Sequence, residues 1–288
     1  MQKIDEICPN CKDSNWTFLY YSTYNNFNLP IYICNICKIQ SIFPKDSQKI
    51  TEMYDEAYYT GKSEYKYIDE RITEKFDSYV WDARIKNIKK YVKSGKFLDV
   101  GSSFGGFLSR AKLAGFEVYG AEVSQYSSSY ANSRGIYTYN GTYINNTFPN
   151  NNFSVITLVE VIEHLENPIE VFEKLYSQLI PGGLLLIQTA NFEGKQAISE
   201  SKNYHYYLPG HLFYYSKSNL ESILKQRGFS KIITYLGVDF PLLAKLLKSR
   251  GGFKTLKDYT KWWDISKYHI KSKLFPGSTS SMVIYAIK

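Results

Sequence analysis

The sequence feature that most constrains the fold is the run FLDVGSSFGGFLSRA at residues 97–111. A short, mostly apolar segment comes first, glycines follow, and the last part has the apolar spacing of a helix. A strand, a glycine-rich turn and a helix in this order hold the ligand in doubly wound α/β sheets. We therefore expect a nucleotide-containing ligand beside this loop.

Strand and helix patterns alternate along most of the chain. Strands are predicted at 96–100, 117–122, 136–139, 153–159, 183–190, 231–236 and 281–287. Helices are predicted near 71–93, 104–114, 124–134, 168–180 and 216–227. Such alternation indicates an α/β fold with a doubly wound, Rossmann-like sheet of seven strands. Residues 240–279, between the last two strands, have the position of an insertion.

All four cysteines lie near the N-terminus, in two C-x-x-C pairs. They are Cys8, Cys11, Cys34 and Cys37. The two pairs have the spacing of a zinc ribbon, in which each pair forms a tight turn and four thiolates bind one tetrahedral ion. Four thiolates leave no open position on the metal, so the site is predicted to be structural. We assign this small zinc ribbon to residues 1–45.

The positive charge of the chain is concentrated at one end. Residues 241–288 hold ten Lys and Arg and two Asp, a surplus equal to the net charge of +8 of the whole chain. A basic segment of this kind can meet a sugar nucleotide, an RNA backbone or a membrane surface, and we expect peripheral contact with an anionic surface through 245–273. The alternative is a solvated amphipathic segment that packs Trp262 and Trp263 inward.

No apolar run approaches the roughly 18 residues that a membrane-spanning helix needs. The N-terminal residues lack the apolar core of a signal peptide. We expect a cytoplasmic protein without a transmembrane segment, and a reducing cytosol also favours zinc over disulfides at the cysteines.

The glycine loop and two carboxylates indicate which nucleotide binds. A dinucleotide-binding loop needs glycine at position 103, where this chain has Ser103 between Gly101 and Gly105. Asp99 precedes the loop, and a carboxylate there suits an ammonium group better than a pyrophosphate. Glu122 ends the second strand, where an acid can accept hydrogen bonds from both ribose hydroxyls. An ammonium group, ribose and adenine together describe S-adenosylmethionine (SAM).

Residues 96–236 resemble the class I SAM-dependent methyltransferases, in the group that includes the ubiquinone-biosynthesis O-methyltransferases. The matching segments are FLDVGSSFGGFL, VYGAEVSQ, FSVITLVEVIEHLENPIEVFEKLYSQLIPGGLLLIQTAN and HLFYYSKSNLESILKQRGF. The resemblance implies that the glycine loop passes beneath the methionine part of SAM. It also implies that Asp99 orders the loop and the amino group, that Glu122 binds the ribose, and that adenine lies near Gly141 and Thr142.

The segment LVEVIEHLENP follows the fourth strand, at the edge where an acceptor would bind. Glu160, Glu163 and His164 fall within about one turn and share one face if this segment is helical. In the resembling ubiquinone-pathway and small-RNA methyltransferases such a pattern carries Mg²⁺, and His211 is the candidate for a further ligand. Three interpretations stay open: a Mg²⁺ site, a metal-free base that activates or positions a hydroxyl, and a structural helix start. Glu160 is also an expected cofactor contact.

Two further histidines are weaker candidates. His205 lies in the tyrosine-rich segment NYHYYLPGHLFYY, which we expect to form a lid together with His211. His269 lies in the basic segment and is predicted to be at the surface.

The sequence thus predicts three parts: the zinc ribbon at 1–45, a helical lead-in and substrate lid at 46–95, and a methyltransferase domain at 96–288. The predicted function is SAM-dependent O-methylation of a small molecule or glycan, including a nucleotide-linked or phosphorylated sugar. The alternative is an RNA methyltransferase acting on a 2′-hydroxyl or a base. A non-catalytic SAM-sensing module is a third interpretation.

Overall fold

The computed structural model describes residues 4–45, 54–60, 62 and 69–288. Its strands are β1 (Trp16–Tyr21), β2 (Pro30–Cys34), β3 (Gln40–Ile42), β4 (Gly95–Val100), β5 (Phe116–Glu122), β6 (Tyr137–Asn140), β7 (Phe153–Val159), β8 (Leu179–Ala190), β9 (Phe213–Tyr214), β10 (Lys231–Leu236) and β11 (Ser281–Ile287). Its α-helices are α1 (Glu56–Tyr59), α2 (Glu70–Ile88), α3 (Gly106–Leu113), α4 (Gln125–Ser133), α5 (Pro168–Gln178), α6 (Lys195–Glu200), α7 (Lys217–Gln226), α8 (Leu242–Ser249) and α9 (Lys261–Leu274). None of the described helices has the length and apolar character needed to cross a bilayer.

Seven strands form the central sheet, in the order β10-β11-β8-β7-β4-β5-β6. Neighbouring strands from β8 to β6 are parallel, and β11 runs antiparallel to both of its neighbours. This arrangement confirms the predicted α/β fold with a doubly wound seven-stranded sheet. Each of the seven predicted strands is present within a few residues of its expected bounds.

The interior strands are apolar throughout because helices cover both faces of the sheet. β7 is buried at all but its last residue, and β8 is buried along most of its apolar half. The chain moves from β4 outward to β5 and β6 in one direction, and from β4 to β7 and β8 in the other. Ligands of doubly wound sheets bind at this change of direction, beyond the carboxyl ends of the strands.

A second, antiparallel sheet has the order β1-β2-β3-β9. Its first three strands come from the N-terminal segment, whereas β9 lies within the tyrosine-rich segment 203–215 that was predicted to form a lid. The N-terminal strands are therefore hydrogen-bonded to the C-terminal part of the chain. The division at residue 45 stays a prediction, and the lead-in residues 46–53, 61 and 63–68 lie outside the described part of the chain.

Several local predictions are wrong. The helix predicted at 168–180 ends at Gln178, and β8 begins immediately afterwards, ahead of the Pro-Gly-Gly turn. His269, predicted at the surface, is buried because it lies on the inner face of α9. Of the two tryptophans expected to pack inward, Trp262 does so, and Trp263 is 68% exposed.

Candidate active site

A cavity of about 750 Å³ lies at the carboxyl ends of β4, β5 and β7. It is lined by the glycine loop, the ends of these strands, the segment after β7, α1 and the inner side of α2. A volume of this size is typical of sites for cofactors and drug-sized ligands. Most of the sequence-predicted site residues border this one cavity.

The glycine loop joins β4 to α3 through three left-handed residues. Gly101 has a φ of +71°, Ser103 of +48° and Gly105 of +79°. A Cβ at Gly101 would approach Val161 Cγ2 to 2.5 Å, so glycine is required for both conformation and space. Ser103 pays a conformational cost that a glycine would avoid. Gly101 and Ser103 line the cavity, whereas Gly105 lies behind it as the N-cap of α3.

Glu122 is buried at the end of β5 and forms a rigid acceptor. Its Oε2 accepts from Ser103 N at 2.9 Å, and its Oε1 accepts from Ser124 N at 2.9 Å and from Tyr59 Oη at 3.0 Å. Burial raises the pKa of the carboxyl. The backbone donors hold both oxygens in place at the position expected of a ribose-binding acid.

Two further predicted cofactor contacts border the same half of the cavity. Asp99 Oδ1 accepts from Thr157 Oγ1 at 2.5 Å, and burial raises the pKa of Asp99 to about 7. Thr142 lies just beyond β6, at the start of a 3₁₀ turn over Tyr143–Asn145. The glycine loop, Asp99, Glu122 and Thr142 therefore follow one wall of the cavity, which we name the cofactor end.

The expected helix at Glu160–His164 is not formed as predicted. The N–H of Glu160 bonds to the carbonyl of Gln188 at 2.9 Å, Glu160 takes a φ of +54°, and only Ile162–His164 forms a 3₁₀ turn. The pairing with β8 thus continues past the end of β7. A non-glycine residue in this conformation is strained, as is common at functional sites.

The two carboxyls of this segment face each other. Glu160 Oε1 accepts from Gln188 Nε2 at 2.7 Å, and Glu163 Oε2 accepts from Thr189 Oγ1 at 3.0 Å. Burial, and then the charge of Glu160, raises the pKa of Glu163 well above its ordinary value, and burial raises that of Glu160. Two buried carboxyls in contact favour a shared proton over two charges.

His164 and His211 stack edge to face with ring centroids 4.6 Å apart. His164 Nδ1 lies 3.0 Å from the carbonyl of Gly210 and 2.9 Å from Tyr54 Oη, and His211 Nδ1 lies 2.8 Å from the carbonyl of Tyr206. Because a carbonyl only accepts, each Nδ1 carries hydrogen and each Nε2 keeps a lone pair. Burial lowers the pKa of His164 to about 4 and lowers that of His211 well below its usual value. His164 lines the cavity and His211 lies behind it.

One group of possible metal ligands differs from the predicted set. Atoms of Glu163, His164 and His211 lie within 4.8 Å of one another, and Glu160 is not in this group. A carboxylate with two imidazoles is a set that suits transition metals better than Mg²⁺, which prefers oxygen ligands. The predicted Glu160–Glu163–His164 Mg²⁺ site is therefore not supported.

Several cavity residues were missed by the sequence analysis because they come from the lead-in. Tyr54 and Tyr59, from the lead-in at 46–95, contact His164 and Glu122, respectively. Glu70, on the first turn of α2, accepts from Gly106 N at 3.0 Å, and burial raises its pKa to about 8. In the sequence, the only signal for Glu70 is its place as an acidic residue in the first turn of a predicted amphipathic helix.

Another missed residue, Arg84, forms a buried support behind Glu160. It pairs with Asp239 at 2.9 Å and donates to Gln188 Oε1. Gln188 in turn donates to Glu160. Because Asp239 neutralises the guanidinium, Arg84 acts here as a fixed donor rather than a free charge.

The N-terminal sheet contacts the residues around His211 directly. Ser41 is fully buried, and its Oγ donates to the carbonyl of Leu212 at 2.8 Å. Leu212 N donates to the carbonyl of Glu163 at 2.7 Å. β3 is thus linked through one residue to Glu163 and lies beside His211.

The four cysteine sulfurs form the predicted cluster. All lie within 4.8 Å of one another, with Cys8 and Cys37 Sγ 3.3 Å apart and Cys11 and Cys34 Sγ 3.4 Å apart. Sulfurs around tetrahedral zinc are separated by about 3.8 Å, given Zn–S bonds of about 2.3 Å. The contact between Cys8 and Cys37 lowers the pKa of Cys37 and raises that of Cys8, as expected for two sulfurs that share one proton. The cluster therefore fits one zinc ion.

His205, a weaker candidate from the predicted lid segment 203–215, does not line the cavity. Its Nδ1 pairs with Glu200 at 3.2 Å, and its side chain is partly exposed. It has the environment of a surface residue.

Comparison with solved structures supports the fold. The Haemonchus contortus phosphoethanolamine N-methyltransferase 2, in complex with phosphomonomethylethanolamine and S-adenosylhomocysteine, aligns with a TM-score of 0.57 and 18% identity over 86% of this chain and 61% of its own. A SAM-dependent methyltransferase from Archaeoglobus fulgidus aligns with a TM-score of 0.51 and 18% identity over 72% of this chain and 92% of its own. Geranyl diphosphate C-methyltransferase from Streptomyces coelicolor aligns with a TM-score of 0.51 and 15% identity over 71% of this chain and 79% of its own.

No curated protein sequence matches the chain significantly. A family described as methyltransferase domain matches residues 73–233, more than half of the chain. The match covers β4 to β10, with the glycine loop, Glu122 and the Glu160–His164 segment. The chain belongs to this methyltransferase-domain family and is an enzyme of the SAM-dependent methyltransferase class, as its sequence predicted.

Proposed function

We propose that this enzyme transfers the methyl group of SAM to a hydroxyl of a small molecule or glycan. The observation that carries the proposal is that one cavity joins a ribose-binding acid, Glu122, to a neutral histidine, His164. A rigid acceptor for the cofactor and a lone-pair nitrogen for the acceptor proton are the two parts that O-methylation needs.

The cofactor end fits the chemical groups of SAM. Glu122 would accept from the ribose hydroxyls, with Ser103 N and Ser124 N holding its carboxylate in place. Asp99 and Glu70 would face the ammonium group, since burial keeps both carboxyls poised to ionise beside a cation. SAM supplies a methyl group on a sulfonium, so the leaving group is already good and the protein chiefly orients the acceptor.

The acceptor end would hold and deprotonate a hydroxyl. The His164 ring is oriented by the carbonyl of Gly210 and by Tyr54 Oη, and Nε2 is left to receive a proton. His211 packs against that ring, and a Glu163 oxygen lies within 4.8 Å of nitrogens of both histidines. Tyr54 and Tyr58 of the lead-in border the cavity and would exclude water from it.

The charge of the cavity favours a neutral acceptor over a phosphorylated one. The described lining residues with carboxyl groups are Glu70, Asp99, Glu122, Glu160, Glu166 and Glu170. The cationic lining residue is Arg84, which is paired with Asp239. Within the predicted class of acceptors, this supports a sugar or other polyol without phosphate, and it argues against RNA.

Zinc at the cysteine cluster belongs to the same proposal. Cys8, Cys11, Cys34 and Cys37 would hold one structural ion, which would stabilise β1–β3 and the contacts to Leu212. Four thiolates that bind zinc require a reducing compartment, consistent with the predicted cytoplasmic location.

The test is methyl transfer from label-carrying SAM to fractionated cell extract, with and without chelator. We expect label in a nuclease-resistant, phosphatase-insensitive, sugar-containing fraction. Label released by nuclease would replace the proposal with RNA methylation, and loss of label with phosphatase treatment would move it to a phosphorylated acceptor. Inhibition by a chelator that leaves the zinc in place would assign a metal to Glu163, His164 and His211.

A matched pair of variants tests the role of His164. His164→Ala is expected to abolish transfer while it retains affinity for S-adenosylhomocysteine. His205→Ala, which removes a partly exposed histidine outside the cavity, is expected to do neither. Unchanged transfer in His164→Ala would refute the assignment of the base.

A further inference from the structure

The inner face of α9 is fixed to the rest of the protein. His269 and Ser272 are buried, and Trp262 Nε1 donates to Ser249 Oγ of α8 at 3.0 Å. Lys273 Nζ donates to the carbonyl of Val238 at 2.8 Å. These contacts fix the rotation of the helix, so its outer side chains have a defined arrangement.

The outer face of α9 carries large apolar side chains at helical spacing. Trp263, Ile270 and Leu274 are 68%, 50% and 68% exposed. Intervals of seven and four residues place them on the same side of a helix. Phe275, the next residue, is also mostly exposed. Apolar residues clustered in this way on a surface indicate a binding region.

Lysines lie between these apolar residues. Lys267 and Lys271 are exposed on the same side of α9, and Lys267 Nζ lies 5.1 Å from the ring centroid of Trp263. Neither has an ion-pair partner among the described residues, in contrast to Lys261, which pairs with Asp258. Asp264 is the exposed acid on this side and forms no ion pair among the described residues, so the face combines an apolar stripe with a surplus of positive charge.

We propose that the outer face of α9 binds the surface of an anionic lipid bilayer. Trp263, Ile270 and Leu274 would enter the boundary between headgroups and acyl chains, and Lys267 and Lys271 would contact lipid phosphates. Charge complementarity identifies the partner as anionic, and the protruding aliphatic residues favour lipid over RNA. A protein interface would instead require apolar residues that are contiguous rather than separated by lysines.

The test is co-sedimentation of the full chain with phosphatidylcholine vesicles, with and without phosphatidylglycerol. We expect binding to the anionic vesicles alone, weakened by salt, and a blue shift of tryptophan fluorescence. The triple change Trp263→Ser, Ile270→Ser and Leu274→Ser should weaken binding at least about tenfold. The double change Lys267→Glu and Lys271→Glu should have a similar effect, since each basic residue near the bilayer strengthens binding by about fivefold.

Matched controls lie elsewhere on the surface. Ile72→Ser, Leu113→Ser and Ile198→Ser together remove exposed apolar side chains, and Lys86→Glu with Lys93→Glu reverses exposed charges. Both controls should bind vesicles as the parent does, and all variants should retain affinity for S-adenosylhomocysteine as a measure of folding.

Three results would overturn the proposal. They are no binding to anionic vesicles at low salt, binding that the α9 variants do not change, and α9 variants that alter only self-association or RNA binding. Each result is independent of the acceptor, so it would leave the proposed methyl transfer standing.

Discussion

The two ends of the cavity are built in different ways. The cofactor end is formed mainly by consecutive elements, β4, the glycine loop and α3, with Glu122 on the neighbouring strand. The acceptor end combines three segments that are distant in sequence: Tyr54 just before α1, the 3₁₀ turn with His164, and the tyrosine-rich segment 203–215 with His211. The N-terminal sheet then supports this end through Ser41.

The difference indicates how such an enzyme can keep its cofactor and change its acceptor. Local backbone geometry fixes most of the cofactor end, and Tyr59 and Glu70 complete it from the lead-in. The acceptor end depends on long-range packing, and loops of this kind vary most easily. Variants should therefore separate cofactor affinity from turnover.

The largest change in cofactor affinity is expected for Glu122→Gln. It replaces a carboxyl oxygen that would accept from a ribose hydroxyl by an amide NH₂ group that only donates, and a buried group left without its partner costs about 1–3 kcal/mol. Affinity for S-adenosylhomocysteine, measured by calorimetry, should fall about 100-fold. Glu117→Gln on the exposed side of the same strand is the control. Equal affinity in Glu122→Gln and the parent would remove Glu122 from the cofactor site.

Glu70→Gln tests the ammonium end of the same site. With a pKa of about 8 in the free protein, Glu70 is mostly protonated at pH 7, and a bound ammonium group would favour its ionised form. Binding of S-adenosylhomocysteine at pH 7 should therefore release a proton, detected by calorimetry in buffers of different ionisation enthalpy. Glu70→Gln should reduce this release to the part that Asp99 contributes, and it should bind about tenfold more weakly.

A second ligand separates this role from a structural one. 5′-Methylthioadenosine lacks the amino-acid part of the cofactor, so the parent and Glu70→Gln should bind it equally. Proton release that is undiminished in Glu70→Gln would assign the titration to another group. Weaker binding of 5′-methylthioadenosine would indicate that Glu70 only caps α3.

Ser41→Ala tests the support of the acceptor end. Loss of the hydroxyl leaves the carbonyl of Leu212 with one donor fewer, so Glu163 and His211 should shift. This displacement should lower kcat/KM by about tenfold or less. Affinity for S-adenosylhomocysteine should not change. Ser22→Ala removes another buried hydroxyl next to the same sheet, bonded to the carbonyl of Phe27, and is the control. A parallel loss of cofactor affinity would contradict the separation of the two ends.

The smallest effect is expected for Ser103→Gly. Ser103 has a φ of +48°, and glycine adopts this conformation without the steric cost. The free energy of unfolding should rise by up to about 1 kcal/mol, measured by denaturant titration. Ser102→Gly, at a position outside the left-handed region, should lower it. Equal destabilisation by both changes would show that the side-chain contacts of Ser103 outweigh its backbone strain.

The cofactor end could be predicted because its determinants are local. The apolar strands, the glycine loop and an acid at the end of the next strand are visible in the sequence, and the structure places them as expected. The helix predicted over Glu160–His164 was wrong because Glu160 continues the pairing with β8. A periodicity argument does not detect a single left-handed residue.

The acceptor end was only partly predictable. His164 and His211 could be named from their motifs, but their edge-to-face contact depends on the lid fold. Tyr54 and Arg84 carry no local motif and reach the cavity through long-range packing, as Glu70 does at the cofactor end. His269 was misplaced because a lysine-rich helix indicates exposure, while its position beside Ser272 on the inner face requires burial.

The most direct test of the account is a crystal structure of the complex with S-adenosylhomocysteine. We predict that the ribose hydroxyls bond to Glu122, that adenine lies near Thr142, and that the sulfur faces the part of the cavity lined by Tyr54 and His164. A ribose bound away from Glu122, or a sulfur directed at a wall without His164, would contradict the proposed arrangement of cofactor and acceptor.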